Sequence, residues 1–319
     1  MKKYILLIAF TVATLYSFGQ DVDKLIKEDE VERIIKTLAA DDMQGRATFT
    51  PGVEKAAQFI EGEFKKIGLD PLTGNADYRQ QVTMVRSRQP EKPLFNIVGV
   101  IPGKTKPDEY VLFSAHYDHI GILKPMQGDS IANGADDDAS GVTAVIALAD
   151  YFKKSNNNAR TLIFVAFTAE EIGGFGASYF SKQLNPDKVV AMFNIEMIGK
   201  QAKFGPNSAF ITGYERSDFG AILQKSLAGT KFTFHPDPYI KEDLFYRSDN
   251  ATLAKLGVPA HTISTVQIDT DKFYHTVKDE VSTLDMNNII STIKAIALSS
   301  RSIVAGEATP TRVAKESVR

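Results

Sequence analysis

Apolar positions along the chain fall into two rhythms that take turns. After Thr50-Pro51, Val53, Ala57, Ile60, Phe64 and Ile67 recur at helical spacing until Gly68. Proline suits a first helical turn, where its missing N–H is not needed, and glycine suits a left-handed stop, so the spacing predicts a helix over 51–67. A shorter helix is predicted over 31–38. Val142, Val145, Ile146, Ala149 and Phe152 form a second stripe, and Met286, Ile289, Ile290, Ile293 and Ile296 a third. Between these, runs at 95–101, 110–115, 161–167, 189–195, 209–212 and 260–264 read as strands. The run TLIFVAF at 161–167 is apolar on both faces, as a central strand covered on each side requires. Alternating strands and helices predict an α/β fold of three layers, a mostly parallel mixed central sheet with helices on both faces. No linker divides the pattern, and the polar tail after Gly306 is expected to be loose.

The first twenty residues, MKKYILLIAFTVATLYSFGQ, break this pattern. Two lysines, an apolar run and then Ser17-Phe18-Gly19 follow the order of a secretory signal, with cleavage expected after Gly19. The apolar run falls short of the ~18–20 residues that span a bilayer. The expected organisation is a leader over 1–19 and one domain over 20–319, periplasmic or secreted, without a stable membrane anchor. The chain contains no cysteine, so an exported fold must rely on core packing and bound metal rather than disulfides. A formal charge of −2 gives no reason to expect nucleic acid or an acidic membrane as partner. Oligomeric state is left open.

The conspicuous ionisable residues stand just past predicted strand ends: His116 and Asp118 in SAHYD, Glu170 and Glu171 in FTAEE, Glu196 in NIEMIG. Asp136, Asp137 and Asp138 lie in GADDDASG before the stripe that begins at Val142, and His275 lies in FYHTVKD. Ligands of open α/β sheets gather outside the carboxyl ends of the strands, where residues distant in sequence can meet. Two imidazoles among several carboxylates form a donor set suited to zinc, and the surplus of carboxylates argues for two ions sharing one of them. Singly, each feature has a plainer reading. A His-x-Asp pair is often surface decoration, paired glutamates are usually solvated, and aspartates before a helix can cap it for up to about 1 kcal/mol. Their joint placement favours metal.

HYDHIG, NGADDDASG, FTAEEIGGFGAS, FNIEMIG and FYHTVKD, in that order across roughly 95–285, resemble the successive motifs of the co-catalytic dizinc aminopeptidases. This is the family of bacterial leucyl aminopeptidases, related to glutamate carboxypeptidase and the transferrin receptor ectodomain. The resemblance implies a zinc exopeptidase-like fold, peptide substrates and two zinc ions. It implies that His116 and Glu196 bind one zinc, that Glu171 and His275 bind the other, and that Asp137 bridges them. Asp118 would orient His116, Glu170 would be the general base, and Tyr274 would donate to the reaction oxyanion. It also implies a cis peptide between Asp137 and Asp138.

The sequence departs from the family at Glu196, where Asn-x-Asp-Met-Ile-Gly is usual; the glutamate reaches about 1.5 Å further. That exchange bears on metal preference and on recognition of the substrate amine. His119 is not in the motif's ligand position, His261 reads as a satisfied core histidine, and His235 as loop. SDN at 248–250 reads either as a pocket rim or as a helix cap. Two other functions are weighed. A glutaminyl cyclase, a single-zinc acyltransferase on the same fold, builds its pocket around tryptophan, and this chain has none. A non-catalytic relative would have lost ligands, whereas every metal position here is filled by a competent residue.

Overall fold

A computed structural model describes residues 22–83 and 93–319. The predicted leader over 1–19 lies outside the described residues. Among the described residues eleven strands appear in order: β1 (Asp70–Pro71), β2 (Arg79–Val82), β3 (Leu94–Ile101), β4 (Lys106–His116), β5 (Gly121–Met126), β6 (Asp129–Ala132), β7 (Arg160–Phe167), β8 (Val189–Ile195), β9 (Ser208–Ile211), β10 (Thr233–Pro236) and β11 (Ala260–Ser264). The main helices are α1 (Glu28–Leu38), α2 (Pro51–Ile67), α3 (Gly141–Ser155), α4 (Phe175–Gln183), α5 (Phe219–Ser226), α6 (Asn250–Ala254) and α7 (Met286–Ser299). As predicted, α2 carries Pro51 in its first turn and ends on Gly68, at φ 80°.

A nine-stranded sheet runs β1-β3-β7-β4-β8-β11-β9-β10, with β2 also paired to β3. Its centre, β7-β4-β8-β11, is parallel. The margins are more antiparallel than the strand order in sequence implies: β3 runs against β7, and β9 against β11. Strand β3 is an edge-side neighbour of β7 rather than the start of the parallel set.

Period-two alternation assigns each face of the sheet. Leu162, Phe164 and Ala166 of β7 join Phe113 of β4 and Phe193 of β8 in one core, covered by α1, α2, α3, α5 and α7. Ile163, Val165 and Phe167 point the other way, onto Ala177 and Phe180 of α4 and Leu253 and Ala254 of α6. Phe113 stacks between Phe164 and Phe193, at centroid distances of 5.4 and 4.9 Å. This ladder of rings locks the three adjacent strands whose ends carry most of the site.

The segment after Gly306, expected to be loose, is instead tied down. The buried Arg160 donates to the carbonyl of Ala308 at 2.6 Å and to Thr309 Oγ1 at 2.6 Å, and Arg312 donates to the Val189 carbonyl at 2.8 Å. Val313 is buried and bonds through its N–H to the Gly257 carbonyl. Polar composition misled here because strand starts and helix ends offer carbonyl acceptors to the arginines. Among the described residues, no helix is long and apolar enough to cross a membrane.

Candidate metal centre

Strand β4 runs straight into His116, whose Nε2 lies 3.2 Å from Asp137 Oδ1. The Nδ1 of His116 faces the backbone carbonyl of Asp118 at 3.1 Å. The Asp118 carboxylate is 3.9 Å from that nitrogen, beyond hydrogen-bond range. It accepts instead from the Glu170 N–H at 3.1 Å and from Thr48 Oγ1 at 2.9 Å. Asp118 therefore orients His116 through its main chain, and its side chain holds the amide of Glu170.

The three consecutive aspartates have separate partners. Asp136 Oδ1 accepts from the Gly199 N–H at 2.7 Å, with Lys200 Nζ 3.4 Å from Oδ2. Asp138 accepts from the N–H groups of Gly141, Met197 and His116. Only Asp137 turns its carboxylate to the histidines: Oδ1 toward His116, Oδ2 toward His275 Nε2 at 3.2 Å. The peptide between Asp137 and Asp138 is cis. The Asp279 carboxylate accepts from the N–H groups of Asp136 and Asp137 and fixes the turn from outside.

Glu170 and Glu171 follow Ala169, which adopts φ 59°. Glu171 places Oε1 2.8 Å from His119 Nδ1 and Oε2 3.0 Å from His275 Nε2. Met197, just after Glu196, and His275 itself also sit at positive φ, 50° and 56°. Non-glycine residues in that region cost of order 1–3 kcal/mol and concentrate at functional sites.

Two donor groups result, each with its ligating atoms within 4.8 Å of one another: His116, Asp137 and Glu196; and His119, Asp137, Glu171 and His275. His116 Nε2, Asp137 Oδ2 and Glu196 Oε2 are buried and make no hydrogen bond. Buried acceptors facing one another unpaired are costly unless a cation lies among them. Imidazole nitrogens and carboxylate oxygens are the donors zinc takes, so these residues fit that ion.

The charges respond to one another strongly. Burial disfavours the His116 imidazolium, yet Asp137, Glu170 and Asp138 hold its pKa well above the usual value. Burial would raise Asp137, but His116 and His275 hold it well below the carboxylate range. Glu170 is pushed up to about 10 by burial and by the charges of Glu196, Asp249 and Asp118, against the opposing pull of His116. Glu196 rises to about 7, mainly through burial. Tyr274 stacks on His275 with ring centroids 3.9 Å apart, and burial raises its phenol well above normal. Beside Glu196 opens a pocket of mixed character, with Met197, Phe210, Leu244 and Val266 among its apolar walls and Arg247, Ser248 and Thr262 among its polar ones.

Several residues at the site escaped the sequence reading. His119 joins the second donor group although the motif did not place it there. The fully buried Arg46 donates to the carbonyls of Leu38, Tyr117, Asn133 and Gly134, framing the aspartate turn from beneath. Asp249 of the SDN segment makes no cap bond to α6; its carboxylate is buried without a hydrogen bond and pushed up to about 8 by burial, with further repulsion from Glu196 and Asp118. His261 is the core histidine expected, held by the Thr212 carbonyl at 2.8 Å and Ser217 Oγ at 2.7 Å. His235 lies in strand β10 rather than in a loop, stacked on Phe204.

A probable leucine aminopeptidase of Trichophyton verrucosum is 29% identical over 214 residues, covering 63% of this chain and 54% of the relative. The chain thus spans about half the length of the curated relatives it matches. In fold it is similar to a zinc aminopeptidase from Bacillus subtilis, with a TM-score of 0.69 at 14% identity over 89% of this chain and 97% of that one. It is equally similar to the glutaminyl cyclase of Porphyromonas gingivalis, with a TM-score of 0.69 at 17% identity over 88% and 99%. The fold alone therefore does not separate the two chemistries. Residues 96–299, which supply every predicted ligand from His116 to His275, match peptidase family M28, and the chain belongs to that family.

Proposed function

We propose that this chain is an exported aminopeptidase that holds two zinc ions and removes N-terminal residues from peptides. The observation that carries the reading is the sharing of Asp137 between two donor groups, one oxygen facing His116 and the other His275. In the proposal His116 and Glu196 hold one ion, Glu171 and His275 hold the other, and Asp137 serves both. Zinc bound there supplies Lewis acidity, polarising a carbonyl and making water acidic enough to attack near neutral pH.

The protein's own groups do the rest. The Glu170 carboxylate takes the proton of the attacking water and returns it to the departing amine, a role worth about 10²–10⁴ in rate. The Tyr274 phenol, kept protonated by burial, donates to the oxyanion. The pocket beside Glu196, with both apolar and polar walls, is the place for the first residue of the peptide. The charged, apolar, small-residue order of the first twenty residues supports export, and the domain proposed to follow begins at Gln20.

The test is a metal count on purified protein with aminoacyl-anilide, N-acetylated and N-terminal glutaminyl peptides. Two zinc ions with release only from free N-termini is the expected result. One zinc with pyroglutamate formation would replace the reading by a cyclase, and a folded, metal-loaded but inert protein would replace it by a binding role.

A further inference from the structure

We infer that His119 is a fourth protein ligand to the metal held by Asp137, Glu171 and His275, which makes the two metal positions unequal. The inference rests on the dizinc reading. The Nδ1 of His119 lies 2.8 Å from Glu171 Oε1 and 3.6 Å from Asp137 Oδ2, while His275 Nε2 lies 3.2 Å from Asp137 Oδ2 and 3.0 Å from Glu171 Oε2. A tetrahedron of zinc–donor bonds about 2.0–2.1 Å long has edges of roughly 3.3 Å; the two Glu171 oxygens face one histidine each, and one donor atom from each of the four residues lies within 4.8 Å of the others. The His116, Asp137 and Glu196 group has three donors.

Independent features hold the His119 ring in place. The backbone N–H of His119 donates to the Arg46 carbonyl at 3.2 Å, and its main chain pairs with Ala47 in a short parallel bridge, which fixes the Cα that carries the ring. Gly134, the first residue of GADDDASG, lies directly against the ring. A Cβ there would stand 2.6 Å from His119 Cγ and Cδ2, and the backbone at φ 56° also disfavours any side chain. The glycine leaves room for the imidazole beside the aspartate that both ions share. The side chain is fully buried and edge-on to His275, with ring centroids 5.7 Å apart.

A closed set of four protein donors binds zinc more completely than three donors and an open position. The ion at His119 is therefore the one retained when zinc is scarce, and the position beside Glu196 and its pocket is the one left open.

Zinc K-edge absorption spectroscopy on the full chain, stripped and then given one equivalent of zinc, tests this. Two imidazoles per zinc are expected in the wild type, falling to one in His119→Asn. Competition with a chromophoric chelator should show the tight zinc weakened at least about 10-fold in that variant, with circular dichroism reporting its fold. One imidazole per zinc in the wild type, whether or not the variant folds, overturns the role of His119 and leaves the dizinc peptidase intact. So does unchanged retention in a folded variant. Failure to bind any zinc overturns both.

Discussion

The carboxylate of Asp118 accepts the backbone N–H of Glu170 at 3.1 Å, so the residue whose main-chain carbonyl faces His116 also holds the segment of the proposed base. The amide it holds belongs to the segment that sends Glu170 one way and Glu171 the other. Asp118→Asn keeps the size but weakens the acceptor. Turnover should fall about 10–100-fold, with zinc content and KM changed much less. Steady-state kinetics beside a metal assay distinguish this from the loss of zinc that removal of a ligand would cause.

Glu170→Gln removes the proton carrier and leaves every donor atom of both groups in place. Zinc content should stay at the wild-type value while kcat falls by at least about 10²-fold. Wild-type turnover in a folded, zinc-loaded variant would eliminate Glu170 as the base.

Metal-free protein should lose stability as pH rises from about 6.5 to about 10. His275, usually near 6.5, rises to about 10: burial opposes the imidazolium, but Asp137 and Glu171 outweigh it. Its stabilisation is complete below 6.5 and is lost as pH passes 10, and His116 shifts in the same direction. Glu170 at about 10 and Asp249 at about 8 are also raised, and each ceases to favour the fold as it ionises. Asp137 and Glu171 are lowered, so their contribution appears above the ordinary carboxylate range and stays intact across this window. Melting temperatures in chelator should fall from neutral to alkaline pH, and zinc should reverse the trend because its ligands bind deprotonated. A flat profile in chelator would contradict the assigned charge coupling.

Arg46→Met should destabilise the fold by about 3 kcal/mol or more. The guanidinium satisfies four buried carbonyls, from Leu38, Tyr117, Asn133 and Gly134, and each unsatisfied acceptor costs about 1–3 kcal/mol. Denaturant titration of the zinc-free protein measures the loss directly.

The parts legible in the sequence were those written in local order. The stripe from Val53 to Ile67, with Pro51 and Gly68 as punctuation, became α2, and the run at 161–167 became a strand apolar on both sides. His116, Glu171 and Glu196 converge because the ends of β4, β7 and β8 lie on the same edge of the parallel centre, and Asp137 and His275 join them from the loops above that edge. What escaped is set through space. Arg46 carries no signal, since its acceptors are main-chain carbonyls up to 88 positions away. The antiparallel entry of β3 beside β7 depends on which neighbour a strand chooses, which alternation does not encode. His119 was visible in HYDHIG but set aside by motif position; its role follows from where β4 turns after His116, not from spacing.

Strands β7, β4 and β8 lie side by side, and the segments leaving them carry Glu171, His116 and Glu196. The lateral pitch of a β-sheet, about 4.8 Å, thus acts as the ruler that spaces these donors. No excised loop would retain that measure, and a peptide copied from one motif would keep a fragment of either donor set. Only the assembled sheet holds the intervals fixed, so chain segments hundreds of atoms apart answer to one repeat distance, the gap between neighbouring hydrogen-bonded backbones.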